Sequence, residues 1–196
     1  VVIFNNAAGN ATVTPQLGTG GRIFLSTPPA LQNNLLGPWA TVVREFASYV
    51  PGLGVGALNA TGFAGYSTAT LANSTTSDNV RYTATNTTLA LTANTAVNTL
   101  NFNAPVSGGS LNLANYTLNV AGGGFMLGLG TDNVTFRIYG GTVTAGTAGV
   151  ASDLYLQMAP YGGNSRIALL ANTFADNAGG SLRLVISSSD GYVTSR

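Results

Sequence analysis

The chain contains no cysteine, no histidine and no lysine, and each gap removes a class of chemistry. Without cysteine there are no disulfides and no thiolate metal sites. Without histidine the commonest general base and the commonest metal ligand are missing. All seven basic residues are arginine, so the surface offers fewer sites to proteases that cut at lysine; nucleotide bias produces the same absence. Charge is scarce as well. Charged residues make up 7% of the chain, against ~25% in an average soluble domain. A net charge of +1 gives no basic patch for nucleic acid. Scarce charge does not mean disorder here, because 45% of the residues are apolar. Nor does it mean a membrane span. The uncharged stretch from Tyr82 to Thr131 is rich in Thr and Asn and is broken by Pro105 and Gly108-Gly109. The stretch from Phe46 to Ser77 is broken by Pro51 and five glycines. Neither supplies the ~20 consecutive apolar residues that a spanning helix needs. The lack of an initiator Met and of a signal peptide points to a mature fragment or an internal segment.

What fills the chain is glycine (26), threonine (25) and asparagine (20). Thr favours strands, whereas Gly and Asn serve tight turns and left-handed backbone. The composition therefore predicts an all-β protein of many short strands. Residues 1–77 form an irregular β-rich part punctuated by Pro15, Pro28, Pro29, Pro38 and Pro51. Residues 78–196 read as β-solenoid coils, with the whole forming one continuous module. Alternating runs there predict strands at Val80–Ala84, Thr88–Leu91, Val97–Asn103, Ser110–Leu113 and Tyr116–Val120. Further strands are expected at Phe125–Leu129, Val134–Tyr139, Asp153–Met158, Ser165–Leu169 and Ser181–Ile186. Turns are expected at the glycine pairs and triplets between them, such as Gly122-Gly123-Gly124, Gly140-Gly141 and Gly179-Gly180. Leu100, Leu118, Phe136 and Leu154 fall at equal steps of 18 residues, which suggests a solenoid in which each coil stacks on the last. Strands at this density also suit an antiparallel β-sandwich, and the pattern alone leaves both open. Within Pro38–Tyr49, Trp39, Val42, Val43, Phe46 and Tyr49 sit at helical spacing behind a proline suited to a first turn, which on its own predicts a short amphipathic helix.

The same segment carries a resemblance. Gly37-Pro38-Trp39-Ala40-Thr41-Val42, then Glu45-Phe46-Ala47-Ser48-Tyr49, resembles a doubled "G-x-W-A-T … F/W-A-T" signature. That signature belongs to the giant bacterial surface proteins built of autotransporter-associated β-strand repeats. Further elements follow in order: Gly65-Tyr66-Ser67, Ala96–Asn103, Ser110–Leu113 with Tyr116–Val120, Ile138–Ala145, Asp153–Leu156 and Ala175-Asp176-Asn177. Roughly residues 37–196 are covered. The likeness departs at Gly124-Phe125-Met126-Leu127, which has one glycine fewer than the usual run, and fades at Asp190–Thr194. It implies a right-handed parallel β-helix, display outside the cell and a scaffold or adhesive role. It also implies β structure around Trp39 rather than a helix.

Side chains that could carry chemistry are few. Asp132, Asp153 and Asp176 are spaced so that they could stack on neighbouring coils. Glycosidases need two carboxyl groups ~5 Å or ~6.5–9.5 Å apart, and such a column could supply them, with Tyr139 or Tyr155 lining a groove. Against this, Asp-Asn pairs at 132–133 and 176–177 are ordinary turn formers. Asp78-Asn79, Asp132-Asn133 and Asp176-Asn177 offer hard oxygen atoms to calcium, but the repeat that binds it in β-helices is absent. Sequons at Asn10, Asn59, Asn73, Asn86, Asn115 and Asn133 are little more than this composition yields by chance. The tyrosines suit strand–solvent boundaries at least as well as a sugar-binding face.

The expected protein is therefore a non-catalytic extracellular module of a bacterial surface or fibre protein. It needs no cofactor or metal, and its partners are copies of itself or neighbouring repeats, with surface glycans a further candidate and no nucleic acid or membrane span. The rival is a carbohydrate-binding or polysaccharide-cleaving β-helix using Asp132, Asp153 and Asp176. Both ends look uncapped, with Val1-Val2-Ile3-Phe4 at one and Leu184-Val185-Ile186 near the other. Leu100, Leu111, Leu113, Leu118, Val120, Ile138, Leu154 and Leu156 are expected to point inward. Leu118→Ala should cost ~2–5 kcal/mol, toward the upper end because two coils lose contacts. Asp132→Asn should change the thermal melt little, and the reverse order would mean that an ionic or metal site holds the fold.

Overall fold

The computed structural model of the chain describes residues 2–4, 17, 21–83, 88–103, 109–128, 135–158, 167–188 and 192–195. Among these residues the protein is all-β, with two sheets and no helix. The first sheet has the order β1 (Val2–Phe4), β2 (Ala40–Val42), β3 (Glu45–Val50) and β4 (Gly54–Ala57). β1 lies parallel to β2, whereas β2–β3 and β3–β4 are antiparallel. The segment with helical spacing is thus a hairpin turning at Val43-Arg44, with Val43 at a φ of 55°. Its periodicity misleads because both faces of β3 are covered. Phe46 packs toward Leu35, Leu58 and Met126, while Ala47 and Tyr49 pack toward Ala40, Val42 and Val55. A strand buried on both sides reads as a continuous apolar run and loses its alternation.

The second sheet holds ten strands: β5 (Asn79–Tyr82), β6 (Thr88–Ala90), β7 (Thr95–Phe102), β8 (Ser110–Asn112), β9 (Thr117–Leu127), β10 (Thr135–Ala145), β11 (Ser152–Met158), β12 (Ile167–Phe174), β13 (Leu182–Ser188) and β14 (Tyr192–Ser195). Every pairing in it is parallel, which excludes an antiparallel sandwich for this part of the chain. The sheet curls into a half-barrel, consistent with a β-helix or solenoid. Its pairings fall into three ladders. The first stacks Val80, Leu100, Phe125, Leu156 and Ile186. The second stacks Leu89, Leu111, Ile138 and Leu170. The third stacks Thr95, Leu118, Val143 and Phe174, with Val97, Val120 and Ala145 alongside.

The step along the first ladder is 20, 25, 31 and 30 residues, not 18. Leu100, Leu118, Phe136 and Leu154 stand in four different columns: Leu100 beside Phe125, Leu118 beside Val143, Phe136 beside Ala168 and Leu154 beside Leu184. All four are buried, so equal spacing picked out inward positions without picking out a column. Loops of unequal length between the ladders, such as residues 146–151, account for the uneven step.

The eight aliphatic side chains expected to point inward are fully buried and belong to one core cluster. Phe102 joins the coils aromatically, 5.5 Å from the Tyr82 ring and 4.7 Å from that of Phe136. Two glycine clusters expected as turns lie inside strands instead. Gly122–Gly124 falls in β9 and Gly140-Gly141 in β10, each at a shift of register where the strand passes from one ladder to another. Such bulges need left-handed backbone, supplied by Gly123 at φ 76° and Gly140 at φ 78°.

The two ends of the parallel sheet differ. Val2–Phe4 lies at neither, because β1 pairs with β2. At the β5 end, residues 67–78 cross over. The Ser67 N–H donates to Asn79 O at 2.8 Å, Leu71 enters the core cluster, and the Leu71 N–H donates to Tyr82 Oη at 2.8 Å. At the other end, among the described residues, β13 pairs only with β11 and β14 only with β12, and Ile186 on β13 is 48% exposed.

The bulge geometry gives a contrast in cost. A Cβ on Gly123 would strike Asp153 O as well as strain the backbone, whereas at Gly179 (φ 91°) it would meet nothing within 4 Å. Gly179→Ala should cost only the backbone part, ~1–2 kcal/mol, and Gly123→Ala clearly more. Denaturant titration of the two variants checks the order.

Candidate functional site

The described polar side chains come together most densely where the two sheets meet. The first ladder turns Arg81, Asn101, Met126 and Gln157 outward in one column. The β2–β3 hairpin covers this column. Phe46 packs with Met126, Gln157 Nε2 donates to Pro38 O, and Asn79 Nδ2 donates to Asn33 O at 2.7 Å. At the centre stands Glu45, the only glutamate in the sequence, 8% exposed. Its Oε1 accepts from Arg81 Nη1 at 2.9 Å, Asn103 Nδ2 at 2.6 Å and Asn59 Nδ2 at 3.3 Å. Its Oε2 accepts from Asn101 Nδ2 at 3.0 Å. Tyr66 completes the cluster: its Oη accepts from Asn101 Nδ2 at 2.8 Å and from the Phe46 N–H at 3.3 Å, and Arg81 lies over its ring at 5.0 Å.

Burial pushes the Tyr66 hydroxyl well above its ordinary pKa, and the neighbouring Glu45 charge adds to this. The hydroxyl therefore stays protonated. Both Glu45 oxygens are occupied by donors, and a guanidinium balances the charge. The arrangement ties the two sheets together through both carboxylate oxygens, while Asn101 Oδ1 is buried without a partner. Neither the helical spacing within Pro38–Tyr49 nor the motif Glu45-Phe46-Ala47-Ser48-Tyr49 points to this cluster. The available signal was a lone glutamate inside an apolar segment.

Asp153 and Asp176, singled out from the sequence, are each engaged by hydrogen bonds within the protein. Asp153 holds Arg183 through two contacts, Oδ1 to Nε at 2.8 Å and Oδ2 to Nη2 at 2.6 Å, and accepts from Tyr155 Oη at 3.1 Å. The Arg183 hydrogen bonds hold its pKa below the usual aspartate range. Asp176 Oδ1 accepts from the Leu182 N–H at 2.7 Å, a turn role. Asp78 accepts from Ser67 Oγ at 2.7 Å and from the N–H and hydroxyl of Thr75, both at 2.8 Å. Asp132 lies outside the described residues. Of the two tyrosines, Tyr155 stands beside Asp153 on β11, whereas Tyr139 stands on a different ladder. An open cleft does border Asp153 and Arg183, with Ala151, Ser152 and Ser181 around it. No group of three His, Cys, Asp or Glu among the described residues could hold a metal ion. No helix among them is long and apolar enough to cross a membrane, which says nothing of a β-barrel.

No family model, curated protein or solved structure matches the chain.

Two outcomes are expected from the Glu45 cluster. Glu45→Gln leaves Arg81 unbalanced and should cost ~3–5 kcal/mol, more than Asp153→Asn, whose ion pair is largely solvated. Because folding raises the Tyr66 pKa, the stability tied to its neutral form is complete below the unfolded value near ~10 and is lost as pH rises above it. Tyr66→Phe should flatten that alkaline decline in a series of melts. An unchanged decline would show that Tyr66 is not its source.

Proposed function

We propose that this chain is a right-handed parallel β-helix serving as a non-catalytic, extracellular structural or adhesive module, of the kind found in bacterial surface or fibre proteins. The observation that carries this reading is the one-sided pairing of β13 and β14 at the end of an otherwise continuous parallel sheet. An unpaired strand edge is a template for another strand, from a neighbouring repeat or a second copy. Both carboxylate oxygens of Glu45 are engaged within the protein, which also fits a scaffold. Ile186, exposed on β13, marks where end-to-end association would occur.

Sedimentation velocity over a range of concentrations tests this. The wild-type protein should form growing oligomers, and Ile186→Lys should shift them toward monomer without lowering the thermal melt. A wild-type protein that stays a single monomeric species for days would contradict the reading.

A second reading has one observation behind it, the cleft beside the Asp153–Arg183 pair. An ion pair at an open cleft, with Tyr155 bonded to Asp153 beside it, suits a glycan. A glycan array in which Arg183→Ala abolishes wild-type binding would favour this reading, and an array without hits removes it.

A further inference from the structure

Outside the sites above, the third ladder carries a buried polar pair that the fold does not satisfy. Ala96, Asn119 and Thr144 are register partners on β7, β9 and β10. The flanking residues Leu118, Val120, Val143 and Ala145 are in the core, so alternation turns Asn119 and Thr144 to the outer face. They are nevertheless covered: Thr144 is only 5% exposed. The chain just after β10 passes nearby, where Asn119 Nδ2 donates to Gly146 O at 3.1 Å and Asn177 Nδ2 donates to the same oxygen at 2.9 Å. The bond to Gly146 O fixes the Asn119 amide with its own oxygen pointing away from that carbonyl. Asn119 Oδ1 and Thr144 Oγ1 are then both buried, and neither has a hydrogen-bond partner.

We propose that one structural water binds between Asn119 Oδ1 and Thr144 Oγ1. Buried polar atoms are almost always partnered, and ordered water is the usual partner when the protein supplies none. Asn119 Oδ1 accepts only, whereas the Thr144 hydroxyl can accept or donate, and water serves both. A metal cation fits poorly. It would need about six oxygen ligands, and the nearby Gly146 carbonyl already receives two amide N–H groups. The column is bounded by a methyl side chain on either side. Ala96 pairs with Asn119, and Ala175, whose N–H donates to Val143 O at 3.1 Å, follows Thr144.

Thr144→Val decides the matter by sign, since valine keeps the shape and deletes the hydroxyl. If the hydroxyl binds water, the variant leaves the water short of a partner, and Tm should fall by about 2–4 °C. If the hydroxyl is truly unsatisfied, its removal should raise Tm. A high-resolution crystal structure of the wild-type protein gives the second readout. A single water peak within hydrogen-bond distance of both oxygens is expected. An empty site, a metal ion, or a direct Asn119–Thr144 bond would overturn the proposal.

Discussion

Parallel backbone pairing between successive passes of the chain is the constraint on which the rest of this structure depends. A parallel ladder sets residue opposite residue, so an inward position on one pass must be inward on the next. Val80, Leu100, Phe125 and Leu156 are buried in consequence, and Thr99, Asn101, Met126 and Gln157 are turned out together. Neither disulfides nor extensive ion pairing can replace this, given the absence of cysteine and the low charge. The connecting segments vary freely in length because the ladder constrains only the strands.

An outward column of a parallel sheet whose other face meets the core ordinarily meets solvent. Here the first ladder's outward column is covered by the β2–β3 hairpin, and polar residues on that column need internal partners. Glu45 supplies them, accepting hydrogen bonds from Arg81, Asn101 and Asn103 of the parallel sheet and from Asn59 after β4. The cluster ties the first sheet to one register of the second, since a shift of one residue would bring Val80 or Leu100 opposite the carboxylate. Buried polar networks are known to specify geometry in this way, with single-partner removal costing far more than the pair itself contributes.

Much of the all-β character was legible in the chain. Runs such as Leu111-Asn112-Leu113 and Leu118-Asn119-Val120 alternate cleanly because one face meets the core. Three features were hidden for physical reasons. The coil step was obscured by unequal loops, which break any fixed period while leaving the columns intact. The hairpin at Ala40–Val50 imitates a helix because both its faces are buried. The bulges at Gly123 and Gly140 resemble turns because bulge and turn call on the same left-handed glycine conformation. Of the candidate site residues, Asp153 and Asp176 were visible as isolated acids; the Asp176 contact to the Leu182 N–H is local, but the engagement of Asp153 by Arg183 is long-range information. Glu45 gave almost no local signal, since its partners lie 14 to 58 residues away.

The central claim is that stacked coils and the covering hairpin form one cooperative structure joined at Glu45. Native-state hydrogen exchange read by peptide tests it most directly. The expected result is that peptides spanning Ala40–Val50 exchange with the same opening free energy as those spanning β7, β9 and β11, and that protection declines only toward β13 and β14. A hairpin that exchanges freely while β9 remains protected would contradict it.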